Sequence, residues 1–278
     1  MIMFTYKMKP WKWLFIFILV YSSIFYAAIS NAQDISKKSA SKIEYKYKLI
    51  LKVDFKKREK ILKANGEDST IYDKALSLVK GDFHAANVID IVEKDASKLK
   101  ITSVISPVTM IGYVVGDKTL RRESLSNALK TGFISTSYSE KRGDSPKTTS
   151  RNDYKVMKSN FYNGTVLENT EKINQDMHDM LSVVYEGVGN KNTQPFLVNN
   201  SKSNKLMVFE AAEVWDISID GKKYKARRYF KKTTATDTAS FEIWIDEQTK
   251  IPLRYQIGLS DKYGATMLFE LNSQNILN

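Results

Sequence analysis

Ile43-Glu44-Tyr45-Lys46-Tyr47-Lys48-Leu49-Ile50-Leu51-Lys52-Val53-Asp54-Phe55 is the stretch that sets the fold class. Ile43, Tyr45, Tyr47, Leu49, Leu51, Val53 and Phe55 share one face, with Glu44, Lys46, Lys48, Lys52 and Asp54 opposite. A period of two with one apolar face predicts a half-buried antiparallel strand. Asn65-Gly66 then reads as a type I′ turn between Lys60–Ala64 and the segment beyond. Further β-rich runs follow at Ala75–Val79, Asn87–Val92, Leu99–Ile105, Met110–Val115, Phe133–Tyr138 and Tyr154–Phe161.

The last third repeats the grammar. Lys205–Ile219 runs into Asp220-Gly221, a hairpin turn, and returns through Lys223–Lys231. Ser240–Ile245, Leu253–Leu259 and Ala265–Leu271 read as a meander, with Pro252 at a strand entrance where its missing N–H does least harm. One segment changes period. Ile173, Met177, Met180, Leu181 and Val184 form a helical stripe, which Gly187 and Gly189 end. Gly143–Asp153 and Asn190–Asn204 read as polar loops. The expected fold is mainly β: a curled antiparallel sheet of about a dozen strands, an open or closed barrel, with one central helix packed on it.

The chain has 278 residues and a net charge of +12. Its 42% hydrophobic content is enough for a packed core and excludes global disorder. It has no cysteine, which removes disulfides, thiolate metal sites and thiol catalysis, and two histidines, too few for a multi-histidine metal centre. No cofactor is expected. Lys7, Lys9 and Lys12 precede an apolar run, Trp13–Ile29, that closes on Ser30-Asn31-Ala32. Basic, apolar and small regions in that order predict a secretory signal over residues 1–32, a flexible leader over 33–42 and one β-rich domain over 43–278. The alternative is an uncleaved N-terminal membrane anchor. With no lipobox cysteine, the expected location is the periplasm of a Gram-negative-type bacterium. The basic residues are spread along the chain, 35 Lys against eight Arg, with no nucleic-acid motif. They solubilise strand faces and suit an anionic membrane surface better than a nucleic acid.

Three clusters carry candidate chemistry. Asp176, His178, Asp179 and Ser182 lie within one predicted helix, where His178 and Ser182 at i, i+4 resemble a base and nucleophile. The serine lacks a Gly-x-Ser-x-Gly elbow, and one helix supplies no oxyanion hole, so a polar helix face is the better reading. Tyr138, Glu140 and Arg142 share a strand face on which Arg142 could hold a carboxylate or phosphate. The ordinary alternative is a solvated strand end. Trp244 and Arg254 flank a turn as a candidate ligand platform, although a strand tryptophan usually belongs to a core. His84 stands alone, and no metal site is expected.

Tyr138-Ser139-Glu140-Lys141-Arg142-Gly143, then Gln175-Asp176-Met177-His178-Asp179-Met180-Leu181-Ser182, then Glu242-Ile243-Trp244-Ile245 and Ile251-Pro252-Leu253-Arg254 resemble, in that order, the bacterial exported family called domain of unknown function 3108. The resemblance implies a β-rich envelope protein without an assigned reaction. It also implies a likeness, at fold level only, to the half-barrel carriers that shuttle lipoproteins. Asp179, Leu181, Ser182 and Pro252 match the motif positions and are expected to be structural; His178 lies outside the pattern. The function expected is non-enzymatic: binding a lipid, acyl chain or partner polypeptide in the concave sheet. The alternative is an envelope interaction protein with a filled core that acts through its basic surface.

Overall fold

Strand β1 (Ser41–Val53) pairs antiparallel with β2 (Phe83–Lys94) on one side and with the last strand, β16 (Ala265–Leu277), on the other. The computed structural model describes residues 41–64, 66, 82–108, 118–130, 132–188, 195–233, 239–258 and 265–277. The signal, most of the leader, Ala75–Val79 and Met110–Val115 therefore lie outside the described residues. From β2 the chain meanders through β3 (Lys98–Pro107), β4 (Leu120–Leu129), β5 (Gly132–Arg142), β6 (Thr148–Asp153), β7 (Lys158–Asn163) and β8 (Val166–Lys172). The C-terminal meander is β12 (Phe209–Ile219), β13 (Lys222–Lys231), β14 (Phe241–Asp246) and β15 (Pro252–Gly258), leading into β16. The result is one 13-stranded antiparallel sheet, ordered β12-β13-β14-β15-β16-β1-β2-β3-β4-β5-β6-β7-β8. Its edges, β8 and β12, do not pair, so the curled sheet stays open.

The chain between those edges makes a second, three-stranded sheet of β9 (Met177–Asp179), β10 (Phe196–Asn199) and β11 (Asn204–Met207), ordered β11-β10-β9. A short π-helix, Val183–Gly187, follows β9. This insert plugs the concave face. Its Leu181, Val183, Val184, Val188, Phe196 and Val198 are buried in the same core as Tyr47, Leu49, Val88, Ile101, Ile243, Leu253 and Phe269 of the large sheet. Phe196, Phe209 and Phe241 continue the contact from plug to β14, with ring centroids 6.1 and 5.6 Å apart.

Several sequence expectations are corrected here. The stripe Ile173–Val184 is not an α-helix, since Met177–Asp179 is a strand and helical turns begin only after it. Its buried residues face both the sheet and a small cluster of Ile173, Met177 and Leu197, which gives a helical spacing without a helix. Conversely, Phe55–Ala64 is an α-helix, α1. Asp54 caps it: the Lys57 N–H donates to Asp54 Oδ1 at 2.9 Å, and the Arg58 N–H to the Asp54 carbonyl at 2.9 Å. Gly66, at φ +66°, ends α1 rather than forming a hairpin turn. The strand β1 also begins at Ser41, two residues before the expected boundary. The residues read as loops at Gly143–Asp153 and Asn190–Asn204 contain β6 and β10. The Asp220-Gly221 hairpin stands, both residues having positive φ, 46° and 78°, as a type I′ turn requires.

Gly258, buried on β15, packs closely against Ser240. A Cβ there would lie 2.2 Å from Ser240 Oγ and 3.2 Å from the Ser240 nitrogen. Gly258→Ala is expected to cost about 2 kcal/mol by overpacking. In urea denaturation, the Gly258→Ala/Ser240→Gly double variant should regain more than half of that. An alanine as stable as the parent would show that the strand shifts freely.

Candidate functional site

The concave face carries rows of opposed side chains set by strand register. One row crosses Tyr45, Asp90, Ser103, Arg122, Glu140 and Thr148 on β1 to β6. The next crosses Ile101, Ser124, Tyr138, Ser150 and Phe161. The β4–β7 part of this face sets buried serines beside Tyr138 and Phe161. Ser124, Ser126, Ser135, Ser150 and Ser159 are all buried. Small hydroxylated side chains leave room for the plug and offer it hydrogen bonds.

The plug takes them. Ser124 Oγ donates to Asp179 Oδ2 at 2.6 Å, and Ser150 Oγ donates to Asn199 Oδ1 at 2.6 Å. Asn204 Nδ2 donates to Ser159 Oγ at 3.1 Å, and Thr148 and Ser201 hydroxyls lie 3.1 Å apart. Asp179 also caps the turn that follows it: its Oδ1 accepts the Leu181 and Ser182 N–H groups, both at 2.9 Å. Ser182 Oγ returns the favour by accepting the Asp179 N–H at 2.8 Å, a reciprocal capping box. Burial pushes the Asp179 carboxyl above its ordinary pKa, against the lowering effect of the Ser124, Ser182, Ser135 and Leu181 hydrogen bonds.

A second polar cluster lies under the π-helix. Tyr185 Oη donates to Asp90 Oδ2 at 2.8 Å and lies 3.3 Å from Tyr47 Oη, which donates to the Pro252 carbonyl at 3.0 Å. Arg122 Nη2 donates to Ser103 Oγ at 2.9 Å, and its guanidinium lies 6.0 Å from the Phe269 ring centre. Burial raises the Asp90 pKa, opposed by Arg122 and by Ser103, Tyr185 and Tyr255. For Arg122, burial works against the charge, but Tyr138, Tyr255, Asp90 and Glu140 outweigh it and raise the pKa.

Where the plug ends, the face is open. A cleft of about 410 Å³ lies at one end of the sheet, between the strands and the plug. Its apolar lining includes Ile105, Leu120, Met207, Phe241, Ile257 and Phe269, and its polar lining includes Arg122, Glu140, Arg142, Lys202 and Lys205.

The sequence candidates divide between these regions. Glu140 and Arg142 line the cleft. Tyr138 is fully buried in its wall and donates to Glu140 Oε1 at 2.6 Å; burial and the adjacent Glu140 carboxylate push its pKa well above the ordinary value, against the pull of Arg122. Trp244 and Arg254 are opposite one another on β14 and β15, in a row that continues to Glu270 and Lys48. That row lies on the face away from Ile243, Tyr255 and Phe269, so these two are not brought to the cleft. Arg254 Nη2 is paired with Glu270 at 2.5 Å. Pro252 is the first residue of β15, where its carbonyl anchors Tyr47. Leu181 is in the core.

His178 is on β9, with its ring edge-on to Phe196 at 5.2 Å, and Ser182 is committed to its capping role, donating to the Asp179 carbonyl at 3.4 Å. His84 is exposed, its Nε2 lying 3.0 Å from the Ala86 carbonyl oxygen. Among the described residues, no group of three His, Cys, Asp or Glu side chains could hold a metal ion. Sequence reasoning missed Arg122, Asp90, Lys202 and Lys205. Arg122 alone left a signal: the polar stretch Leu120-Arg-Arg-Glu-Ser-Leu-Ser, which the fold makes into β4.

No family model matches the sequence, and no curated protein matches it. Among solved structures, the chain is similar to a "putative outer membrane lipoprotein-sorting protein domain" from Vibrio parahaemolyticus. Identity is 10%, over 90% of this chain and 92% of that one, at a TM-score of 0.25. Among the described residues, no helix is long and apolar enough to cross a membrane.

Proposed function

We propose that this chain is a non-enzymatic, exported protein of the bacterial envelope that holds an apolar chain, that of a lipid or acyl group, in the open end of its concave sheet. The observation that carries the reading is the cleft of about 410 Å³, floored by side chains such as Phe241, Ile257 and Phe269. That volume lies in the lower part of the range of roughly 300–1,000 Å³ usual for small-molecule sites. A residual apolar cavity beside a plug suits a slender ligand better than a folded partner. The basic N-terminal segment, apolar run and Ser30-Asn31-Ala32 support export.

Native mass spectrometry of the protein purified gently from the envelope of its own host tests this. The expected result is an added mass matching a lipid or acyl species, lost on denaturation. A clean apo mass, with no uptake of fatty acid or phospholipid on incubation, would overturn the reading. The protein would then be a filled scaffold acting through its basic surface.

A further inference from the structure

The cleft is apolar on its floor and cationic around it. Arg122, Arg142, Lys202, Lys205 and Lys231 line it, against the single carboxylate of Glu140. That carboxylate already accepts the Tyr138 hydroxyl and is opposed to Arg122 across the β4–β5 pair. Some surface lysines elsewhere are tied to acids, as Lys42 is to Glu93, Lys52 to Asp82 and Lys63 to Glu59, while others, such as Lys155 and Lys158, stand exposed on the outer surface. Arg142, Lys202 and Lys205, all exposed at the cleft, enter no ion pair among the described residues. Deeper in the wall, Arg122 is only 6% exposed, and its Nε has no hydrogen-bond partner among the described residues. Like charges gathered at a low-dielectric cleft focus their field into it and attract an anion.

We infer that the ligand of this cleft is an anionic amphiphile. Its chain lies on the apolar floor, and its phosphate or carboxylate head is held at the mouth by Arg142, Lys202 and Lys205. This rests on the apolar-chain reading above and adds the charge of the head group. Arg142 supplies a planar fork suited to two oxygens of such a head, while the lysines act as point charges. Arg122 contributes its field from the wall.

The test compares two probes of equal chain length, dodecyl phosphate and dodecanol, by equilibrium binding to the exported protein. Dodecyl phosphate is expected to bind about tenfold tighter than dodecanol, the preference that a few half-exposed ion pairs supply together. Added salt should erode that preference and leave dodecanol unaffected. In Arg142→Gln/Lys202→Gln/Lys205→Gln the preference should fall to about twofold or less with dodecanol affinity retained, the remainder coming from the field of Arg122. Arg142→Lys alone should keep most of it.

The control variant Lys155→Gln/Lys158→Gln/Lys172→Gln loses as much charge at exposed positions around the start of β7 and the end of β8, outside the cleft lining. It should bind as the parent does. Equal affinity for the two probes would overturn the anion inference while leaving the apolar-chain reading intact. An unchanged preference in the cleft triple variant, or an equal loss in the control, would overturn it too. If neither probe binds, the apolar-chain reading itself fails. Inorganic phosphate should displace dodecyl phosphate only weakly; displacement at equal concentration would make the cleft a small-anion site and overturn the amphiphile.

Discussion

Replacing Arg122 with methionine is expected to destabilise the fold by about 3 kcal/mol, the scale for removing one member of a buried charge set. Arg122 is the cation of an interior row in which Asp90 is fully buried and Ser103 stands between them. Without it, Asp90 keeps the Tyr185 hydroxyl at 2.8 Å but loses the positive charge that opposes its desolvation. Adding Asp90→Asn should restore more than half of the loss, because the double variant no longer buries an uncompensated charge.

The pH dependence has a definite sign. Burial raises the Asp90 pKa, so over the pH range between its unfolded and folded values the folded protein holds a proton that the unfolded chain has shed. The stability contributed by this group is therefore greatest below the ordinary value of 3.8 and falls as pH rises through the folded pKa. Arg122→Met lifts that pKa further. Its deficit should shrink between about pH 7 and about pH 4 when each variant is compared with the parent in urea. A deficit that does not change with pH, and that Asp90→Asn fails to relieve, would mean that Arg122 serves only as packing.

The second large effect concerns the plug. Asp179→Ala is expected to cost about 3 kcal/mol, combining a lost cap with a buried, charge-assisted hydrogen bond from Ser124. Asp179 has no exposed surface, and its two oxygens accept Leu181 N–H, Ser182 N–H and Ser124 Oγ–H. Asp179→Asn retains an acceptor for the backbone and should cost about 1 kcal/mol. Hydrogen exchange should locate the damage: amides of Met177–Val188 should lose protection before those of β1 and β16. Loss spread evenly over the large sheet would show that plug and sheet unfold as one unit and that Asp179 is not a local anchor.

Much of the large sheet was legible because its strands obey a simple periodicity. The alternation of Ile43 to Val53 and the aromatic and aliphatic residues of β14 to β16 point one way because those strands bury one face against a continuous apolar core. The strand β4 escaped the same reading for a physical reason. Its inward positions, Arg122, Ser124 and Ser126, face the plug and the buried polar rows, so their burial is not hydrophobic. Phe55–Ala64 was misread because Phe55 extends the alternation of β1, while the cap at Asp54 shows only in three dimensions. Of the five candidate residues, Glu140 and Arg142 line the cleft and Tyr138 is buried beside Glu140, whereas Trp244 and Arg254 lie on the opposite face of the sheet.

The sequence by itself determined a curled antiparallel sheet, with its core on the faces where apolar residues recur every second position. It also determined a strongly basic chain without thiol chemistry. Local periodicity and composition are properties of neighbours along the chain, and they survive without knowledge of the fold. The tertiary structure alone decided that β1 joins β16, that β8 and β12 stay apart, and that the chain between them folds back as a plug. It alone brought Arg142 to Lys202 and Lys205 around one cleft. Arg142 is 60 positions from Lys202 and 63 from Lys205 in sequence, and only strand register and the return of the plug place their charges together.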